Sequence, residues 1–196
     1  MKSRLERSVE AMKPNTLLQD GRRPVYFALL DLPSKPFWRA DELRGVTELI
    51  DDLRSRRDEL LEEMKALRGH DFGDGWSVFT VCGDGKEPRE KECSKTLELL
   101  RRHSECVSLA CPFQATLVSL LQPRGHVSGH FGPTNFRLRI QFPLSDANGC
   151  WIQCGKEKSF YEDGYAIIDD SYFHSAANPG DTERFVLIVD VWHPGM

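Results

Sequence analysis

The first third of the chain combines apolar and charged residues with a helical period. Between residues 41 and 68, apolar side chains recur at spacings near three and four, with charged residues between them. They are Leu43, Val46, Ile50, Leu53, Leu60, Met64 and Leu67. The pattern predicts one amphipathic helix packed on the outside of the domain. A second helix is predicted from about Ser94 to His103, with Ser94 as its N-cap.

From Phe113 onward, short apolar segments rich in β-branched and aromatic residues are separated by Gly, Pro, Asn and Asp. They cover residues 113–122, 135–143, 149–154, 164–169, 171–177 and 184–192. A short strand is also predicted at residues 76–81, after a Gly/Asp-rich loop at residues 69–75. Evenly spaced short strands of this kind predict a β-barrel or jelly roll with the helices packed outside.

The length of 196 residues fits a single structural domain with a substantial core. We expect an N-terminal helical region over residues 1–75, packed on a mainly β core over residues 76–196. The composition, with 40% hydrophobic and 29% charged residues, is that of an ordinary globular protein.

The net charge and the lengths of the apolar segments indicate which kinds of partner the protein can bind. A net charge of −4 argues against nucleic acid, whose binding depends on phosphate neutralisation by Lys and Arg. No apolar run approaches the ~20 residues of a membrane-spanning helix, and no signal segment follows the charged start. We therefore expect a soluble, cytoplasmic protein with mostly reduced thiols at its six cysteines. The pattern does not indicate an oligomeric state.

Alternate residues of a strand share a face, and in two predicted strands this alternation places charged residues next to apolar ones. Arg137, Arg139 and Gln141 share one face of the strand after Asn135, and this face meets either solvent or a polar cavity. In the last strand, Arg184 stands at the mouth of an otherwise apolar row. A guanidinium there either binds a carboxylate ligand or extends to water from the edge of the sheet.

Two histidines are the candidate metal ligands. His130 begins a turn that leads into the arginine-bearing strand, and His174 shares a strand face with Asp170. Imidazole suits Fe(II), and an arginine follows each histidine, as binding of the remote carboxylate of 2-oxoglutarate would require. We expect solvated side chains at His70 and His103, and we leave His126 and His193 open between structural and functional roles.

Three motifs resemble the signature of the aspartyl/asparaginyl β-hydroxylase family. Residues 130–139, HFGPTNFRLR, resemble its HxGPTNxRLR segment. Residues 169–174, DDSYFH, resemble DDSxxH, and residues 189–194 resemble the ending VDVWHP. The motifs occur in the family's order and spacing within residues 93–196. The resemblance implies a double-stranded β-helix, which is a jelly-roll barrel, and an Fe(II)- and 2-oxoglutarate-dependent dioxygenase.

The resemblance also implies roles for single residues. His130 and His174 would be the two iron ligands. Arg184, ten positions after His174, would bind the 5-carboxylate of 2-oxoglutarate with help from Ser119. Arg139 matches the family arginine that contacts the 1-carboxylate side.

Three further positions bear on the implied site. Gln141 stands where the family has a second histidine, so its contact with the cosubstrate is expected to be altered. Most related oxygenases have an acidic iron ligand at the position of Gly132. The resembled family lacks this carboxylate, so a glycine is expected there. Asp170 either orients a metal-bound water from behind the ligands or is an ordinary turn aspartate.

The expected activity is hydroxylation of a C–H bond with Fe(II), 2-oxoglutarate and O2. The implied target is the β-carbon of an Asp or Asn residue in a peptide, protein or small molecule. Basic positions favour an acidic substrate or are ordinary surface: Arg22, Arg23, Arg101, Arg102 and Arg124. The alternatives are a metal-binding jelly-roll module without turnover and a cupin-like metalloenzyme that does not use 2-oxoglutarate. The second would not need the Ser119 and Arg184 pair.

Overall fold

A computed structural model describes residues 2–67, 69–83, 85–109 and 111–196. The helices are α1 (Arg4–Ala11), α2 (Val46–Ser55), α3 (Arg57–Lys65) and α4 (Ser94–Arg101), with a short 3-10 helix at Ala40–Glu42. The first strands are β1 (Phe37–Trp38), β2 (His70–Gly73), β3 (Trp76–Gly83), β4 (Ala115–Leu121) and β5 (His126–His130). The others are β6 (Arg137–Pro143), β7 (Trp151–Cys154), β8 (Glu157–Ser159), β9 (Ala166–Ile168), β10 (His174–Ala177) and β11 (Arg184–Trp192).

The strands form two antiparallel sheets. The larger has the order β1-β9-β6-β11-β4-β3-β2, and the smaller has the order β5-β10-β7-β8. Strand β11 lies at the centre of the larger sheet, and all of its residues except Trp192 are buried. Its nearly continuous apolar run reflects burial on both faces. This is the jelly-roll, double-stranded β-helix architecture that the sequence predicts.

Two apolar cores lie on opposite faces of the larger sheet. The outer core joins the helices to the alternate residues Leu187, Val189 and Val191 of β11. The inner core lies between the sheets and includes Ile152 and Ile168. The polar face of β6 also points inward, because Arg137 and Gln141 are buried. Of the two alternatives for that face, the structure shows the polar cavity.

The single helix predicted over residues 41–68 is divided into the 3-10 helix, α2 and α3. Gly45 precedes α2 in a left-handed conformation, and Arg56 separates α2 from α3 with φ −113° and ψ 13°. After this break, the Arg57 guanidinium donates to the backbone oxygens of Leu144 and Ser145. The predicted apolar face is nevertheless buried against the sheet.

Several elements of the structure differ from those predicted from the sequence. The loop predicted at residues 69–75 contains β2, which pairs with β3, and all four residues of β2 are exposed, so no apolar alternation marks it as a strand. The polar strand β5 was not predicted. Helix α4 begins at Ser94, but Cys93 occupies the N-cap position.

The division of the chain at residue 75 stays a prediction. All six cysteines are free thiols. Within the described residues, no helix is both long enough and apolar enough to cross a membrane.

Candidate metal and cosubstrate site

The two candidate ligands face each other across neighbouring strands. His130 ends β5, His174 begins β10, and the two residues are directly paired in the strand register. Their imidazole centroids are 4.2 Å apart. The pairing of β5 with β10 therefore brings together two histidines that are 44 positions apart in the sequence.

Hydrogen bonds to the backbone orient both rings. The Nδ1 atom of His130 lies 2.9 Å from the carbonyl oxygen of Ser128, and that of His174 lies 3.0 Å from the carbonyl oxygen of Tyr172. Because a carbonyl oxygen only accepts, each Nδ1 carries the proton. Each Nε2 atom thus keeps the lone pair that a metal ion requires, in the arrangement common to metal-binding histidines.

Burial keeps His174 in the form that binds metal. Removal from solvent lowers the pKa of His174 to about 4, and the neighbouring His130 lowers it further, against the opposing influence of Asp170 and the Tyr172 carbonyl. At neutral pH the imidazole is therefore uncharged. A neutral imidazole can donate its Nε2 lone pair without first losing a proton.

The carboxylate of Asp170 fills the space beside Gly132. A Cβ atom on Gly132 would lie 2.3 Å from Cγ of Asp170, so no ligand side chain fits at position 132. Asp170 Oδ2 lies 3.0 Å from Arg137 and 3.3 Å from Arg139. Burial alone would raise the pKa of Asp170, but the two arginines hold it below its usual range. Its Oδ1 atom has no hydrogen-bond partner among the described residues.

The donor set fits an iron centre that leaves several positions open. Among the described parts of the chain, no group of three or more His, Cys, Asp or Glu side chains could enclose a metal ion. Two imidazole nitrogens are available, and Asp170 Oδ1 is an unused acceptor behind them. Imidazole with open coordination positions suits Fe(II) that must also bind a cosubstrate and dioxygen.

A cavity of about 170 Å³ opens between the two sheets at the histidines. One water occupies about 30 Å³ in the liquid, so this volume accommodates a small organic acid. Six of the seven site residues predicted from the sequence line the cavity: Ser119, His130, Arg139, Gln141, His174 and Arg184. The seventh, Asp170, is buried next to Gly132.

Arg184 is a buried cation without a carboxylate partner. Its residue is 1% exposed, and one guanidinium nitrogen donates to the hydroxyl of Tyr161. Among the described residues, no Asp or Glu forms an ion pair with Arg184, and its Nε atom has no hydrogen-bond partner. A buried charge without a counter-charge is costly, so an anion in the cavity would be stabilised beside this guanidinium. The alternative of an edge arginine that extends to water is wrong.

Ser119 lies near Arg184 on the adjacent strand and is held by Trp76. The indole Nε1 of Trp76 donates to Ser119 Oγ over 3.1 Å. Trp76 also stacks on Phe72, with ring centroids 4.6 Å apart, and its ring centroid lies 6.0 Å from that of His130. The β2–β3 hairpin therefore supplies aromatic rings to the cavity wall, a role that the exposed pattern of β2 did not indicate.

Arg139 lies between the cavity and two buried carboxylates. Its Nε donates to Asp190 over 2.8 Å, and its Nη1 lies 3.3 Å from Asp170. Arg137 forms ion pairs with the same two carboxylates and is fully buried. Asp190 also accepts from the backbone N–H of Ala115 over 2.9 Å. The two carboxylates thereby fix the guanidinium of Arg139 at the cavity wall.

A second groove, of about 560 Å³, adjoins the cavity. It shares Phe72, Leu117 and Arg139 with the cavity. Tyr26, Phe72 and Phe113 line it and are 68%, 54% and 55% exposed. Exposed aromatic side chains grouped in this way are typical of binding surfaces.

Other residues predicted to be on the surface or undecided have structural contacts. Arg22 is buried and contacts Asp169 at 3.5 Å, so its prediction as a surface cation is wrong. His103 is also buried, 2.8 Å from Asp52, and the prediction that it is solvated is wrong. His193 is buried as well, and burial lowers its pKa to about 4. The remaining basic positions with ion pairs are Arg101, Arg102 and Arg124.

Comparison with known proteins gives sequence matches over most of the chain. The family model described as Aspartyl/Asparaginyl beta-hydroxylase matches residues 41–194. Aspartyl/asparaginyl beta-hydroxylase of Homo sapiens is 35% identical over 181 residues, which cover 83% of this chain and 23% of that protein. Aspartate beta-hydroxylase domain-containing protein 2 of Mus musculus is 30% identical over 192 residues, which cover 89% of this chain and 56% of that protein. The chain thus spans about a quarter of the first relative and about half of the second.

A solved structure shares the fold. The chain superposes on a 2OG-Fe(II) oxygenase family oxidoreductase from Burkholderia pseudomallei with a TM-score of 0.50 and 13% identity. The match covers 82% of this chain and 96% of that chain. At this identity the likeness shows the jelly-roll fold alone.

Proposed function

This chain belongs to the aspartyl/asparaginyl β-hydroxylase family, and from that premise we propose that it hydroxylates a C–H bond with Fe(II), 2-oxoglutarate and O2. One observation carries the proposal. The unpaired guanidinium of Arg184 and the two histidines with free Nε2 atoms line the same cavity. A dicarboxylate that binds a metal at one end and an arginine at the other matches this arrangement. A metalloenzyme independent of 2-oxoglutarate would leave the buried cation without a function.

We assign the iron to His130 and His174. When bound, Fe(II) supplies the oxidising chemistry with dioxygen and 2-oxoglutarate, and the protein supplies position and electrostatics. The carbonyl oxygens of Ser128 and Tyr172 hold the Nδ1 atom of each ring, which leaves each Nε2 available to the metal. With iron bound, the free Oδ1 of Asp170 would be available to orient a water, and its carboxylate offsets the charges of Arg137 and Arg139.

We assign 2-oxoglutarate to the wall that contains Arg184. Its 5-carboxylate would accept from Arg184, and Ser119, whose Oγ accepts from Trp76, would donate a further hydrogen bond. Arg139 faces the 1-carboxylate side, where Asp170 and Asp190 fix its guanidinium. Gln141 contributes a neutral amide to the same wall.

We propose that the substrate is a peptide or protein segment with an Asp or Asn residue whose β-carbon is hydroxylated. The name of the human relative indicates this chemistry for that protein. The groove beside the cavity supports it, because it is several times larger than the cavity and shares Phe72 and Leu117 with the cavity wall. A segment in the groove would cover the cavity and exclude water from it.

Anaerobic reconstitution tests the proposal. Chelator-treated protein is loaded with Fe(II), titrated with 2-oxoglutarate, and exposed to O2 with a panel of Asp- and Asn-containing peptides. We expect saturable 2-oxoglutarate binding, succinate only when iron, 2-oxoglutarate and O2 are all present, and a mass gain of one oxygen atom in a peptide. Absence of both 2-oxoglutarate binding and succinate would overturn the proposal.

A further inference from the structure

Residues 22–33, here called the strap, cross the two loops that adjoin the candidate ligands. The loop after His130 covers residues 131–135, and the loop before His174 covers residues 169–173. The strap N–H groups of residues 23, 25 and 26 donate to the carbonyl oxygens of residues 171, 132 and 133 over 2.8, 3.0 and 3.0 Å. One chain segment is therefore hydrogen-bonded to both histidine loops.

Between the two loops themselves, the described residues form one backbone hydrogen bond, beside the packing of Gly132 on Asp170 and the contact of the Phe131 and Phe173 rings at 5.3 Å. The N–H of Gly132 donates to the carbonyl oxygen of Asp170 over 2.6 Å. Strands β5 and β10 pair on one side of the histidines, but both loops leave the sheet on the other side. The strap supplies the additional backbone bonds that these loops require, since buried backbone groups must be paired.

Asn135 holds the strap to the loop after His130. Its side chain is fully buried, its Oδ1 accepts from the N–H of Leu29 over 2.8 Å, and its Nδ2 donates to the carbonyl oxygen of Leu29 over 2.9 Å. Both halves of the amide are used in this pair of bonds. Asn135 does not line the cavity, so its contacts position the loop and do not reach a ligand.

The two ends of the strap are also anchored in the interior. Arg22 pairs with the buried Asp169 at the start of the second loop. At the other end, the Nε2–H of His193 donates to the carbonyl oxygen of Pro33 over 2.9 Å, while its Nδ1 accepts from the N–H of Gly195. Asp169, the partner of Arg22, belongs to the DDSxxH motif, and His193, the partner of Pro33, belongs to the VDVWHP motif. Apart from His174, the residues of these two motifs do not line the cavity.

From these contacts we infer, on the basis of the proposed function, that the strap fixes the relative position of His130 and His174, with Asn135 as its positioning residue. A metal site requires its ligands within about 0.5 Å of the productive geometry. Contacts behind the ligands that orient them typically change metal affinity by about ten- to a hundredfold when they are removed. The strap acts in this way through the backbone of the histidine loops.

The test uses the full chain with Co(II) alone as a probe for the metal site. Wild type, Asn135→Ala and Asn135→Asp are compared by visible absorption during Co(II) titration, at a temperature where circular dichroism shows each to be folded. Asn135→Asp keeps the acceptor for Leu29 but loses the donor. Thr96→Ala is the matched control, because it removes a buried hydrogen bond to Glu63 between α3 and α4.

We expect Asn135→Ala to raise the Co(II) dissociation constant about ten- to a hundredfold and to alter the spectrum, with a smaller effect of Asn135→Asp. Amide hydrogen exchange at residues 23–29 is expected to accelerate in Asn135→Ala. Thr96→Ala is expected to lower Tm without changing the dissociation constant or the spectrum.

Wild-type affinity and spectrum in folded Asn135→Ala would overturn the positioning role. If that variant does not fold, unchanged Co(II) binding by Asn135→Asp would overturn it instead. Failure of the wild type itself to bind Co(II) or Fe(II) would remove the proposed function, and the positioning role would fall with it. The two failures are therefore distinguishable.

Discussion

Replacement of Arg184 by Leu separates a role in cosubstrate binding from a role in folding. The residue is buried, contacts the hydroxyl of Tyr161, and has no acidic partner among the described residues. A bidentate contact with a carboxylate consists of two charge-assisted hydrogen bonds, each contributing about 1.5–3 kcal/mol. Loss of about 3–6 kcal/mol corresponds to a rise of roughly 100-fold to 10,000-fold in KM for 2-oxoglutarate, because 1.4 kcal/mol is tenfold.

Two opposing contributions determine the effect of Arg184→Leu on stability without 2-oxoglutarate. Removing an uncompensated buried charge is favourable, but the Tyr161 hydroxyl then loses its partner, which costs about 1–3 kcal/mol. The double variant Arg184→Leu with Tyr161→Phe removes both groups. We therefore expect the double variant to be more stable than the single variant by a similar amount.

The assay is initial-rate succinate formation against 2-oxoglutarate concentration, with thermal melts of the apo proteins. Arg124→Leu is the control, because Arg124 is exposed and pairs with Asp181 on the surface. We expect KM for 2-oxoglutarate to be unchanged in this control. A KM in Arg184→Leu within threefold of wild type would refute the assignment of Arg184 to the cosubstrate.

Three further predictions concern the ligand loops and the thiols. Asp170→Asn should weaken Fe(II) binding about ten- to a hundredfold, since an amide cannot offset the adjacent arginine charges; wild-type affinity in a metal titration would contradict this. Gly132→Ala should lower the free energy of unfolding by about 1–3 kcal/mol, because its Cβ would overlap Asp170; an unchanged denaturation midpoint would exclude that overlap. Burial raises the pKa of five of the six thiols, to about 12 for Cys93, so iodoacetamide at pH 8 should rapidly modify Cys111 alone, as measured by mass spectrometry. Fast modification of a second cysteine would contradict this burial pattern.

The sequence indicated candidate residues that line the cavity, but not the contacts around them. His130, His174 and Arg184 were recognisable as candidates because each lies in a short motif or strand pattern, and the family resemblance gave their expected roles. Trp76 and Tyr161 were not, since their roles depend on contacts with Ser119 and Arg184 across 43 and 23 positions. Neither residue belongs to a local pattern that distinguishes it from ordinary core or turn aromatics.

The errors about charged residues have a similar cause. Arg22 follows a polar stretch and reads as a surface residue, but Asp169, 147 positions later, pairs with it in the interior. His103 is also buried, and its imidazole has a partner in Asp52, 2.8 Å away and 51 positions earlier in the chain. Strand β5 was missed because its exposed, polar side chains alternate weakly with apolar ones. Propensity and periodicity do not report such tertiary partners, which override local preference.

The most direct test of the central claim is the fate of dioxygen in the Fe(II)-loaded protein. In an atmosphere of ¹⁸O2, 2-oxoglutarate should yield succinate that contains one labelled oxygen atom in the wild type, and His174→Ala should yield none. Unlabelled succinate, or no succinate from iron-loaded wild type with the peptide panel, would contradict a two-histidine oxygenase site.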